Sequence, residues 1–398
     1  MKQGWTYKKL GEVTTTINGL WTGKKPPFIN VAVIRNTNFT KDCKLDMTNV
    51  AYLDVEQKQY NSRKLLPGDI IIEKSGGSDK QPVGRPVLFD ISEGEYSFSN
   101  FTSTLRINNA DEIIPQFLHC ALYSAYLRGE TFKLQSKTTG IHNLDFKGYN
   151  RLPIPIPSLS EQQSIVAELD KINELISLKK AQLSDLDRLT QSIFYNMFGN
   201  PVENEKGWIV KSIEEICSSI VRGPFGSALK KDFFVKPDTT TYKIYEQKHA
   251  IQKDATIGSY YVTEDKFKEL SRFEVKPNDI IMSCSGTIGE LYRIPSTAEK
   301  GLMNQALLKF TLSEDIHYQY FLYLMEYIKK DFTVRGTGLQ NIGSVKIIKK
   351  MSFGLPPLSL QQEFANRIEA IEKQKNHLNT TLKDLETLLA SRMQHWFE

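Results

Sequence analysis

Two Glu-x-Lys triplets are the residues best suited by type and spacing to do chemistry. They are Glu56-Gln57-Lys58, with Asp46 or Asp54 upstream, and Glu246-Gln247-Lys248, with Asp238 upstream. Two carboxylates can hold a divalent ion while a nearby lysine supports its water, the arrangement of metal-dependent nucleases. About two such triplets arise by chance at ordinary composition and this length. The pair also falls at non-equivalent points of the internal repeat described below, so neither carries an activity. Gly223 to Lys230 (GPFGSALK) lacks the spacing of a phosphate-cradling GxxxxGK[ST] loop. There is no GxGxxG and no GxSxG. The histidines (His119, His142, His249, His317, His377, His395) form no ligand pair, and Cys43, Cys120, Cys217 and Cys284 show no zinc-ligand spacing. The expectation is a non-catalytic chain with no metal or cofactor of its own and with reduced, mostly buried thiols.

The elements that would position any site are written twice. Lys8 to Ile17 (KKLGEVTTTI) answers Lys211 to Ile220 (KSIEEICSSI). Leu65 to Gly77 (LLPGDIIIEKSGG) answers Glu274 to Gly289 (EVKPNDIIMSCSGTIG), and Thr138 to Leu144 (TTGIHNL) answers Gly336 to Ile342 (GTGLQNI). Ile156 to Gln163 (IPSLSEQQ) answers Leu355 to Gln362 (LPPLSLQQ). A period of half the chain is a duplicated domain pair, since solenoid repeats run about 20–50 residues. Within each copy, short apolar runs predict strands at Phe28–Asn36, Gly68–Lys74, Arg85–Asp90 and Ser103–Asn108, then at Asn278–Cys284 and Ala306–Leu312. Helices are predicted over Ile113–Gly129 and Asp315–Asp331.

After each copy comes a stretch without Gly or Pro, from Ser160 to Phe198 and from Ser359 to Glu398. Ser160-x-x-Gln163 and Ser359-x-x-Gln362 have the pattern of capping boxes. Apolar residues then recur at alternating steps of four and three. The first seam is Ile165, Leu169, Ile172, Ile176, Leu183, Leu186, Ile193 and Met197, with Lys179 and Thr190 as polar breaks. The second is Phe364, Ile368, Ile371, Leu378, Leu382, Leu385, Leu389 and Trp396, broken by Lys375 and Arg392. Such a seam predicts a coiled coil. A duplicated half implies a pseudo-two-fold axis, and such an axis makes the helix pair antiparallel. The fold class is α+β, with two mixed α/β domains (1–158 and 200–357) and two spacer helices (159–199 and 358–398).

The two globular copies carry net charges of +5 and +3, while the helices together carry −3. Phosphate binding needs Lys and Arg on the docking surface, so the globular copies are the candidates for nucleic acid and the helices for protein. The start, MKQGWTYKKL, has no apolar core of a signal peptide, and no run reaches the ~18 apolar residues of a membrane span. A cytoplasmic protein with no membrane partner is expected.

Several stretches resemble the specificity subunits of type I restriction–modification systems. Ile17 to Phe39, Ile72 to Phe89, Gly223 to Phe234, Ser283 to Pro295, Leu302 to Leu308 and Arg335 to Ile342 are similar to target-recognition domains of that family. Leu152 to Val166 and Leu355 to Ile368 resemble its strand-to-spacer-helix junctions. The resemblance implies that each domain reads one half of a bipartite, asymmetric site in double-stranded DNA. It implies that the helices set the spacing between halves, that two methyltransferase subunits clasp the chain, and that translocase–nuclease subunits join them. It places S-adenosylmethionine, ATP and magnesium on those partners and none in this chain. The candidate DNA contacts are Lys24, Lys25, Lys74, Ser75, Lys80, Arg85, Lys137, Thr138 and His142 in the first copy. In the second they are Arg222, Phe225, Lys230, Lys231, Ser283, Ser285, Thr287, Arg335, Thr337 and Gln340. All lie near glycine-containing loops, where backbone approaches phosphate and side chains reach base edges. Gly76, Gly77, Gly286 and Gly289 are expected to form turns rather than contacts. The rival reading is a scaffold of two protein-binding domains on a coiled-coil stalk.

Overall fold

The structure, a computed structural model, describes residues 4–21, 23, 25–78, 81–138, 141–329 and 345–398. It divides into two compact units, 1–181 with 379–398, and 182–378. Each unit therefore holds one globular copy and about half of each long helix.

In the first unit the strands are β1 (Thr6–Lys9), β2 (Thr14–Asn18), β3 (Phe28–Ile34), β4 (Ala51–Glu56), β5 (Asp69–Glu73) and β6 (Ser75–Gly77). They continue with β7 (Pro86–Phe89), β8 (Tyr96–Phe98), β9 (Thr102–Ile107), β10 (Gln135–Thr138), β11 (Ile141–Leu144) and β12 (Pro153–Ile156). The second unit has β13 (Ile209–Ser212), β14 (Cys217–Arg222), β15 (Tyr242–Tyr245), β16 (Tyr261–Val262) and β17 (Glu274–Val275). It then has β18 (Ile280–Ser283), β19 (Leu291–Arg293), β20 (Gly301–Met303), β21 (Leu307–Leu312) and β22 (Ser352–Leu355).

The sheets repeat one plan. The antiparallel order β2-β9-β5-β7 is matched by β14-β21-β18-β19, and the small pair β1-β12 by β13-β22. The mixed sheet β4-β3-β8 has its counterpart in β16-β15-β20-β17, with β3·β8 and β15·β20 the parallel pairs. The central strands β5 and β18 are buried on both faces, which explains their continuous Ile-rich runs. A turn with positive φ precedes each, at Gly68 (93°) and Asn278 (71°). In both turns the next residue's carboxylate closes the loop: Asp69 accepts from the Leu66 N–H at 2.8 Å, and Asp279 from the Lys276 N–H at 2.8 Å. One helix packs behind each main sheet, Pro115–Leu127 and Tyr318–Ile328. Both start later than the sequence pattern predicts, with Ile113 and Ile316 entering the cores from the turn that precedes each helix.

The long helices run Leu159–Phe198 and Leu358–Phe397. In the first unit Ile165, Leu169, Ile172 and Ile176 are buried with Met393, against which Leu389 and Trp396 also pack. Lys180 pairs with Glu386 at 3.5 Å and Arg392 pairs with Glu168, so the helix segments run antiparallel. In the second unit Phe194 and Phe198 pack on Phe364, Ile368 and Ile371, and Lys375 reaches Asp187 at 2.7 Å, again antiparallel. Leu183, Leu186, Ile193, Met197, Leu378, Leu382 and Leu385 are likewise buried or half-buried. Three polar breaks of the seam thus have partners: Arg392 and Lys375 in ion pairs, and Thr190 through its hydroxyl to the Leu186 carbonyl at 2.9 Å.

The capping boxes are a correction. The helices start at Leu159 and Leu358, so Ser160 and Ser359 lie inside the first turn and Ser158 caps the first helix, accepting from the Glu161 N–H at 3.3 Å. The first glutamine of each Gln-Gln pair does the tethering. Gln162 accepts from the Ile114 N–H at 2.9 Å and donates to the Glu112 and Pro157 carbonyls. Gln361 accepts from the His317 N–H at 2.8 Å and donates to the Asp315 and Pro356 carbonyls. Each ties a spacer-helix start to the segment that opens its unit's packed helix. Both side chains are buried, and a buried amide with all its partners is a rigid joint.

Candidate nucleic-acid interface

In the first unit four of the candidate residues, Ser75, Lys137, Thr138 and His142, share a three-stranded sheet, β10-β11-β6. Its register sets His142 opposite Gly77 and Lys137, and Asn143 opposite Ser75. The hydroxyl of Ser75 bonds the Asn143 side chain, and half-buried Lys74 donates to Asn18 Oδ1 at 3.4 Å. Partial burial lowers the Lys74 pKa from the ordinary lysine value. Lys137 and Thr138 belong to β10, their side chains lying outside the description, and Lys24 and Lys80 fall outside the described residues. Lys25 is exposed on the loop between β2 and β3.

Three expectations change. Arg85 is 5% exposed; it makes a two-pronged ion pair with Glu73, at 2.7 and 3.0 Å, and donates to the Phe39 carbonyl at 3.0 Å. Its pKa is raised: burial alone would lower it, but the hydrogen bonds and charge of Glu73 outweigh that. It is a core cation with no donor to spare for a phosphate. His142 is buried in the small sheet. Ser283 is fully buried at the end of β18, donating to the Thr287 carbonyl at 2.6 Å and accepting from the Glu290 N–H at 3.0 Å. It shapes the loop rather than lining its surface.

In the second unit that loop leaves Ser285 half-buried and Thr287 exposed. Gly76, Gly286 and Gly289 have positive φ (106°, 66° and 86°), as turn residues should, whereas Gly77 is instead crowded, a Cβ there meeting Val83 at 2.8 Å. Arg222, at the end of β14, is half-buried, its Nε donating to the Gln305 carbonyl at 3.0 Å. Phe225, Lys230 and Lys231 are exposed on the loop that follows. Arg335, Thr337 and Gln340 lie outside the described residues. Trp21 is absent from the sequence-based candidates, yet it is exposed at the point of the first unit that matches Phe225.

The Glu-x-Lys triplets serve the framework. Glu56 accepts from the Lys25 N–H at 2.6 Å and from Gln59, pinning the β2–β3 loop, and Glu246 pairs with Lys248 at 2.6 Å. Among the described residues no three His, Cys, Asp or Glu side chains cluster as metal ligands. Burial pushes the thiols of Cys43, Cys120 and Cys217 up to about 12 and that of Cys284 up to about 11, and all four are free. No described helix is long and apolar enough to cross a membrane.

A family model described as "Type I restriction modification DNA specificity domain" matches residues 2–188 and again 205–387. The type I restriction enzyme StySPI specificity subunit of Salmonella potsdam is 24% identical, with 97% of this chain and 87% of that protein covered. The EcoKI specificity subunit of Escherichia coli K12 is also 24% identical over 97% of this chain and 87% of its own. Among solved structures, a chain from work on assembly and conformational transition of a type I R-M system superposes with a TM-score of 0.62 at 17% identity, covering all of this chain and 98% of that one. The S subunit of a type I system from M. genitalium gives a TM-score of 0.53 at 14% identity, again over the whole of this chain and 98% of the other. With the family model matched once on each copy of the duplicated fold, the chain belongs to the type I restriction–modification DNA specificity family.

Proposed function

We propose that this chain is the DNA-reading, non-catalytic subunit of a type I restriction–modification complex, each unit reading one half of a bipartite duplex site. The observation that supports this best is the specificity-domain match to both halves of a chain whose two units repeat one strand plan. The net positive charge of the globular copies and the exposed cations Lys25, Lys230 and Lys231 suit a phosphate backbone. Methyltransferase subunits, and translocase–nuclease subunits where present, dock on the chain and bring S-adenosylmethionine, ATP and magnesium. Modification and cleavage are theirs.

Two measurements test this. Replacing residues 1–158 with the matching domain of another specificity subunit, followed by mapping of modified adenines, is expected to change one half of the modified sequence only. A change in both halves would show that the units do not read independently. Duplex affinity of the full chain is expected to fall steeply with salt, as counterion release requires. Salt-insensitive binding of protein alone would favour the scaffold. The continuous long helices, each with a heptad seam, support a spacing role. One heptad added after Leu183 and after Leu382 lengthens each by about 10 Å, or about three base pairs, and is expected to abolish modification of the original site. Unchanged spacing would end the ruler reading.

A further inference from the structure

Gly19 and Gly223 occupy the same place in the two units, directly after β2 and β14. A Cβ on Gly19 would lie 1.9 Å from the Ser99 carbonyl oxygen, and one on Gly223 would lie 1.8 Å from that of Asn304. Ser99 and Asn304 are themselves equivalent: each donates its N–H to the end of a parallel strand, at Ile34 and Tyr245, and each accepts from the residue three further on. Backbone thus packs on backbone with no room for a side chain, and the chain leaves the sheet along a fixed path. The next residue, Leu20 or Pro224, is buried and pins the loop. The residue after that is aromatic and stands in solvent: Trp21 is 62% exposed and Phe225 89%. The Trp21 N–H is held by Gln59 Oε1 at 3.1 Å, and the Phe225 carbonyl closes a turn with the Ala228 N–H at 2.9 Å.

A single exposed ring is ordinary on a protein surface, but here one stands at the same point of both units, two residues after a glycine packed on backbone. Each ring shares its loop with exposed lysines, Lys25 in one unit and Lys230 and Lys231 in the other. Aromatic surface flanked by cations matches a nucleic acid, whose bases are flat and apolar and whose backbone is anionic. The near-complete exposure of Phe225 leaves both ring faces free. Contact with a thymine methyl would cover one face, whereas insertion at a base step covers two.

We propose that Trp21 and Phe225 are twin wedges, each inserting at a base step of the half-site read by its own unit. This rests on the DNA-reading function proposed above, and the test separates the two. A site is first selected on the full-length chain from a pool of randomised duplexes, and 2-aminopurine is then placed at successive steps of it. Binding is expected to raise fluorescence at one step in each half, where stacking is broken. Trp21→Ala is expected to abolish one rise and Phe225→Ala the other, each weakening binding by about 5- to 150-fold, the range of one lost base–aromatic stack. The salt slope is expected to stay constant, because no phosphate contact is lost. Trp21→Phe and Phe225→Trp are expected to restore the rises, which excludes misfolding as the cause. Parental affinity in both alanine variants, or fluorescence quenched at every step, would overturn the wedges while leaving DNA reading intact. Full DNA binding with loss of partner assembly would also overturn them, making the rings protein contacts. No enrichment of any sequence would overturn the DNA-reading function and the wedges with it.

Discussion

On the central strands β5 and β18, Glu73 and Ser283 stand at the same position and carry different chemistry. In the first unit the carboxylate of Glu73 is 1% exposed and needs a cation, which Arg85 supplies across the loop. In the second, a serine closes a shorter loop through two neutral hydrogen bonds. A similar contrast appears where the packed helix meets the long helices. Phe194 sits among the rings of Phe198, Tyr320, Tyr323, Tyr327 and Phe364, at centroid distances of 5.1 to 6.3 Å. Its counterpart at an offset of 199 residues is Met393, and there a groove of about 660 Å³ opens, lined among others by His119, Cys120, Asp170, Asn173 and Leu389. The duplicated backbone tolerates both solutions because strand pairing and the glutamine joints use main-chain groups, which do not depend on which side chains fill the space.

The largest expected effect separates the loops. Arg85→Ala strands a buried carboxylate and is expected to cost the first unit about 3–5 kcal/mol, whereas Ser283→Ala costs the second about 1 kcal/mol. Urea unfolding followed through each unit measures this, and equal losses would erase the contrast. Next comes the aromatic cluster. Phe194→Ala is expected to cost about 3–5 kcal/mol, and Met393→Ala less, because its site already borders open space and has less packing to lose. The glutamines test what is shared. Gln162→Ala and Gln361→Ala each leave a buried N–H and carbonyls unmatched, so losses of about 1–3 kcal/mol are expected, similar in the two units. A strong asymmetry would show that only one of them bears the joint.

The smallest effect is acid sensitivity. The hydrogen bond from Arg392 lowers the pKa of Glu168 below its ordinary 4.5, against the opposing effect of burial and with help from Trp396. A depressed carboxylate contributes stability that is present above its unfolded pKa and is lost as pH falls through the folded one. The helix pair of the first unit is therefore expected to weaken below about pH 4.5. Glu168→Gln is expected to flatten that part of the pH profile measured by thermal melting. At the matching offset the second unit has Arg367, which pairs with Glu363 on its own helix, so the cross-helix Glu168–Arg392 pair has no counterpart at that position.

The duplication, the two long helices and nearly every seam position could be read from the sequence, because heptad spacing and repeated Pro/Gly punctuation are local signals. The strand runs around Ile70–Ile72 and Ile280–Met282 were legible for the same reason: burial on both faces leaves an unbroken apolar stretch. The triplets Gly19-Leu20-Trp21 and Gly223-Pro224-Phe225 were also visible, but nothing local shows that a glycine abuts backbone just past the end of a strand some 80 residues away. Only the tertiary structure decided which cations are free. Arg85 and Lys25 look alike in a glycine-rich loop, yet one is claimed by a carboxylate twelve residues upstream and the other faces solvent. It likewise decided which glutamine of each Gln-Gln pair is buried, since that depends on the rotation at which the helix meets its domain. Sequence periodicity states which residues share a face, and burial and partnership follow once distant chain segments have been brought against it.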